Sequence, residues 1–95
     1  MLLLYVMIYF IQEQESPYRI KIGYSKNAYK RIREISAGFS QHMTILKIME
    51  GDRADESFFH QMFADCKIDG KREWFYPYGN LLDFLSTDKA RSLYG

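Results

Sequence analysis

Apolar side chains are distributed in two distinct ways over the first part of the chain. The opening run MLLLYVMIYFI is apolar on both sides of a two-residue repeat, with Tyr5, Met7, Tyr9 and Ile11 on one side and Leu4, Val6, Ile8 and Phe10 on the other. A strand with that pattern belongs in the middle of a sheet, covered on both faces. The run is well short of the ~20 residues that cross a bilayer, and it lacks the basic start and small-residue cleavage site of a signal peptide. After the polar turn QEQESP, the segment YRIKIGY alternates. Tyr18, Ile20, Ile22 and Tyr24 point one way, and Arg19, Lys21 and Gly23 the other. Two strands joined by so short a turn predict an antiparallel hairpin whose second strand has one apolar and one cationic face.

The pattern then changes to a helical period. Ser25 reads as the N-cap of a helix over residues 26–37, closed by Gly38. Ala28, Ile32 and Ile35 form its apolar stripe. At 100° per residue, Lys26, Lys30 and Arg33 fall opposite that stripe, as an ordinary solvated face. Arg31 lies about 60° from the stripe's centre, at the margin between core and solvent. MTILKIM (residues 43–49) predicts a third strand. Asp52 and Asp55 then predict a capped start for a helix reaching about Cys66 and burying Phe58, Phe59, Met62, Phe63 and Cys66. Glu56 projects about 90° from that stripe, and His60 lies one turn further along the same edge, with Cβ atoms ~6 Å apart. KIDGKR reads as a loop, EWFYP as a short extended piece and NLLDFL as a small closing helix with a frayed polar tail after Ser86.

The expected fold is therefore α/β of the α+β type. A three-stranded, mainly antiparallel sheet, with a hairpin strand at its centre, is flanked by two main helices and a short C-terminal helix. One domain spans residues 1–95, with its core over about 5–76 and a helical extension over 77–95.

Composition narrows the class. With 47% apolar and 17% aromatic residues the chain can fill a core, which excludes the disordered classes. The single cysteine, Cys66, can form no internal disulfide and has no metal-ligand spacing around it, which points to a reduced, cytoplasmic setting. A net charge of +1 argues against a polyanion-binding surface all round, yet not against a local patch. Residues 18–36 hold six basic side chains and one acid, whereas residues 50–73 are net acidic by about 3.

The joint pattern resembles the GIY-YIG nuclease superfamily, and more narrowly a small stand-alone branch with KIG as its second motif and a terminal EWF. MIY at residues 7–9 stands where GIY would be, with Met7 in place of the glycine, and KIG at residues 21–23 stands for YIG. Arg31 follows Gly23 at the spacing of the family's helix arginine. Glu56 opens the next helix where the family keeps its metal-binding glutamate, and ESFFHQMF and EWF match the branch. The resemblance implies a metal-dependent endonuclease acting on DNA, with RNA not excluded. Tyr9 would be the general base or would orient the attacking water, and Lys21 would favour its phenolate or grip phosphate. Arg31 would hold the phosphate, and Glu56 would hold one Mg2+ or Mn2+. His60 would assist the metal or a proton transfer, or only pair with Glu56. Asn80 is a candidate for an asparagine that relatives carry near the end. Arg19, Lys26, Lys30 and Trp74 would supply nucleic-acid contacts, sequence-independent and salt-sensitive.

Each residue also has a plainer reading. Tyr9 would be core, Arg31 a side chain snorkelling over the sheet, and Glu56 a favourable charge at a helix N-terminus. Arg19 and Lys21 would be a solvated strand face, and Glu73 and Trp74 an anchor for the C-terminal segment. A catalytically silent nucleic-acid-binding module and a protein-interaction domain with an aromatic C-terminus are the alternatives. A homodimer is left open and no membrane association is expected.

Overall fold

The computed structural model describes residues 6–38, 43–70 and 73–94, with side chains described through Ser86. Residues 1–5 of the opening run and Lys71 and Arg72 of the KIDGKR loop lie outside the described residues. The elements in chain order are β1 (Met7–Glu13), β2 (Ile20–Ser25), α1 (Ala28–Ala37), β3 (Met43–Glu50) and α2 (Arg53–Met62). A 3-10 turn (Ala64–Cys66), β4 (Trp74–Phe75) and α3 (Gly79–Tyr94) complete it. The sheet runs β3-β1-β2-β4 with every neighbouring pair antiparallel.

β1 takes the interior place that its two-sided apolar pattern demands. Ile8 and Phe10 enter one core with Ile20, Ile22, Phe59, Phe63, Cys66, Phe75 and Leu81, under α2 and α3. Tyr9 and Ile11 enter the other with Ala28, Ile32 and Met43, under α1. The first core is aromatic: Phe10 meets Phe59 edge-on at 5.5 Å, and Phe84 lies 5.6 Å from Phe63. Such contacts add about 0.5–1.5 kcal/mol each to simple burial. One end of the sheet then sets the site. Met7 pairs with Ser25 on one side and Glu50 on the other, so β2 and β3 both finish there. α1 and α2 therefore start from the same end of the sheet, on opposite faces.

Several sequence expectations are corrected. The sheet has four strands rather than three, because Trp74 and Phe75 pair with Lys21 and Ile20. Two residues are too few for a periodic signal. Helix α1 is capped by Asn27, whose side chain accepts from the Lys30 amide; Ser25 supports the cap one step back, its Oγ accepting from the Asn27 amide at 3.1 Å. Helix α2 ends at Met62 and continues only as the 3-10 turn, although its Asp52–Asp55 capping box forms as expected. Phe58 and Met62 are exposed rather than buried, while Phe59 and Phe63 enter the core under the sheet. The last helix does not stop near Ser86 but runs to Tyr94.

The hairpin is closed by a buried acid that the pattern did not flag. Glu13 is 3% exposed and accepts from the Arg19 amide at 2.8 Å and from its guanidinium at 2.6 Å. Those hydrogen bonds, more than the charge alone, hold the Glu13 carboxyl below the usual range. A depressed carboxyl contributes stability above its unfolded pKa of about 4.3 and loses it as pH falls through its folded value. Glu13→Gln is expected to cost about 2 kcal/mol at pH 7, the value of charge-assisted hydrogen bonds. The deficit should shrink in urea denaturation series taken below pH 4.

Candidate active site

Along β2, β4 reaches only Ile20 and Lys21, so beyond Ile22 the edge of β2 has no strand beside it. The Ile22 amide donates to the Glu73 carbonyl at 3.0 Å, and the Ile22 carbonyl is met by His60 Nε2 at 3.0 Å. A carbonyl can only accept, so Nε2 carries a proton. His60 thus stands in for the missing strand partner, with its ring edge-on to Phe75 at 5.1 Å. Past that point opens a polar cleft of about 510 Å3, lined by Tyr9, Tyr24, Arg31, Arg53, Glu56, Ser57 and Glu73.

Tyr9 forms its floor. The residue is 1% exposed, and it sits opposite Gly23 on the paired strand. A Cβ on Gly23 would lie 2.5 Å from the Tyr9 hydroxyl oxygen and 2.6 Å from Cζ. The glycine of KIG therefore leaves room for the tyrosine of MIY to lie across the neighbouring strand. Burial raises the Tyr9 pKa above 10, and the negative charge of Glu73 and Glu56 pushes the same way; the neighbouring Arg31 guanidinium opposes them without prevailing. Arg31 is a surface residue, 58% exposed, whose nearest acid, Glu34, is 4.0 Å away.

Glu56, in the first turn of α2, is half-buried. Desolvation raises its carboxyl pKa and Glu73 adds to this, while His60, Arg53 and Lys21 oppose it. Two carboxylates on one cleft fit a hard cation, which is held commonly by one or two carboxylates with water and phosphate oxygens. Among the described residues no group of three or more His, Cys, Asp or Glu converges to hold a metal unaided. Glu56 and Glu73 are therefore the residues available to an ion here.

The remaining sequence candidates lie around this cleft or away from it. Lys21 shares the sheet face of Tyr9, but its ammonium is 3.4 Å from Glu73 and 5.2 Å from the Trp74 ring centre. The cation acting on the tyrosine is Arg31. Arg19 is committed to Glu13, and its guanidinium also covers the Trp74 ring at 4.6 Å. Lys26 and Lys30 are exposed on and beside α1 and do not line the cleft. Asn80 does not line the cleft: its amide donates to the Met62 carbonyl at 2.8 Å, closing α3 onto the end of α2. Tyr24, Arg53, Ser57 and Glu73 line the cleft without having been singled out as site residues. The signal for Arg53 was present, since it lies three residues before Glu56 and so on the same helix edge.

The fold and cleft define a small α+β domain with a hairpin-centred antiparallel sheet and one polar site between the first turns of two helices. Residues 6–88 match the T5orf172 domain, and the chain belongs to that family, a domain found in nuclease-like proteins of phages and bacteria. No curated protein and no solved structure is significantly similar to it. No described helix is long and apolar enough to cross a membrane.

Proposed function

We propose that the protein is a GIY-YIG-type, metal-dependent endonuclease that hydrolyses phosphodiester bonds of DNA in this cleft. The observation that carries the reading is the convergence of Tyr9, Arg31 and Glu56, from a strand and two helices, on one polar space. Arg31 offers a planar donor fork to the non-bridging oxygens of the scissile phosphate. A divalent ion held at Glu56 would supply positive charge for the leaving oxygen. Tyr9, a phenol protonated at neutral pH and held more firmly so by its burial, orients the attacking water by hydrogen bonding. It acts as a base only where added positive charge offsets that burial. The water oxygen bonds to phosphorus as the bond to the leaving oxygen breaks. The water proton passes to solvent, or to Tyr9 where that added charge has made it a phenolate, and solvent protonates the leaving oxygen.

Purified protein incubated with supercoiled plasmid should nick it in Mg2+ or Mn2+ and not in a chelator. Salt-sensitive gel shifts without nicking under either metal would instead favour a silent binding module, a reading supported by the exposed cations Lys26 and Lys30. Neither nicking nor binding would reject both.

A further inference from the structure

The cleft holds a second guanidinium for which the cleavage scheme above has no use. Arg53 is the first residue of α2, at the helix end where a cation is opposed by the dipole and where only acids are favoured. Asp52 and Asp55 occupy that end with their side chains turned to the capping amides. Arg53 turns instead toward β2. Its Nε donates to the Tyr24 hydroxyl at 2.8 Å and its guanidinium carbon lies 5.6 Å from the Tyr24 ring centre. Tyr24 is itself held, half-buried against the core beneath α2. Spending Nε on the tyrosine leaves the two terminal nitrogens, and a guanidinium edge of that kind binds an anion by two parallel hydrogen bonds. Among the described residues Arg53 forms no ion pair within 4.0 Å.

Arg31 and Arg53 thus reach one cleft from helices on opposite faces of the sheet. At about 510 Å3 that space exceeds what one phosphate group fills and is in the range of small-molecule sites. Consecutive phosphates along a strand, their charges repeating at short, regular intervals, offer each of the two arginines an anionic group of its own.

We propose that Arg53, fixed by Tyr24, seats the phosphate next to the scissile one, so that the cleft takes a stretch of nucleic-acid strand rather than an isolated phosphoryl group. The proposal rests on the nucleic-acid reading above for its ligand, and it adds a positioning residue to that site.

Binding of a fluorescently labelled single-stranded oligonucleotide, followed by anisotropy in a chelator across a salt series, tests it independently of cleavage. Arg53→Gln is expected to weaken binding about tenfold at low salt. It should also reduce the slope of log affinity against log salt by about 0.7, the value of one phosphate contact to a single strand. Arg53→Lys should keep the slope but lose part of the affinity, because charge remains and the fork does not. Tyr24→Phe should fall between wild type and Arg53→Gln. Circular dichroism melts check that each variant folds, and Arg53→Lys carries the test should Arg53→Gln not fold. Unchanged affinity and slope in folded Arg53→Gln would overturn the proposal, as would a wild-type protein that binds no strand at low salt. A wild type that binds through Arg53 in this way but never nicks would support the seat and reject the endonuclease reading.

Discussion

Arg31→Ala and Glu56→Gln should each reduce metal-dependent plasmid nicking by roughly 10³-fold, the loss seen when a preorganised charge partner of the transition state is removed. Neither substitution should unfold the protein, and the two should differ in the direction of their small stability effects. Arg31 is largely solvent-exposed and meets its nearest acid only at 4.0 Å, so its removal should change stability by no more than about 0.5 kcal/mol. Glu56 behaves in the opposite sense to a salt-bridged carboxylate. Its folded pKa is raised by desolvation, so folding favours the protonated form. Stability on this account is full below the unfolded pKa of about 4.3 and is lost as pH rises through the folded value. At pH 7 the ionised carboxylate is therefore a burden on the fold, and Glu56→Gln should melt at the same temperature as wild type or higher. That gain should vanish below about pH 4, where the wild-type group is neutral in both states. Mg2+ should raise the melting temperature of wild type, because a ligand of the folded state alone stabilises it, and should leave Glu56→Gln unmoved. A residue placed only to favour the N-terminus of α2 would show the reverse: loss of stability without loss of cleavage.

The parts of this molecule that were legible in its sequence are those written as a period. β1 is apolar at every position from Met7 to Ile11 and β2 at alternate ones, and the structure places the first inside the sheet with Ile8 and Phe10 under α2 and Tyr9 and Ile11 under α1. The phase of α1 put Ala28 and Ile32 inward and Arg31 at the margin, where it lines the cleft. What was not legible is what depends on partners distant in sequence. β4 is two residues long and exists because β2 offers it an edge. Phe58 reads as core on composition, yet Phe59 and Phe63 already fill the space beneath the sheet and leave it 56% exposed. The Glu13–Arg19 pair and the Arg53–Tyr24 contact involve charged residues that a periodicity reading assigns to solvent. His60 was singled out from its place beside Glu56; the carbonyl it satisfies belongs to a strand thirty-eight residues away.

Gly23→Ala should be as damaging as the loss of a catalytic group, although it adds a single methyl and touches no substrate. The backbone is not the cause, since the described glycines with positive φ are Gly70 and Gly79 and not Gly23. The cause is the ring opposite. The new Cβ would lie 2.5 Å from the Tyr9 hydroxyl oxygen, 2.6 Å from Cζ and 3.1 Å from Cε1, and Tyr9 is confined by Ile11, Ala28, Ile32 and Met43. The strands must part or the ring must leave its position, at an overpacking cost of about 1–3 kcal/mol. Either movement takes the hydroxyl away from Arg31, so nicking should fall at least as far as in Tyr9→Phe, which keeps the ring. The two effects separate in a double substitution. Tyr9→Leu removes the atoms that clash, so adding Gly23→Ala to it should cost little stability, a coupling readable from chemical denaturation of the four proteins in the cycle. Activity should stay absent from every variant but wild type. A Gly23→Ala protein that melts and cleaves like wild type would show that Tyr9 does not lie over the KIG glycine. The floor of the cleft would then have to be built another way.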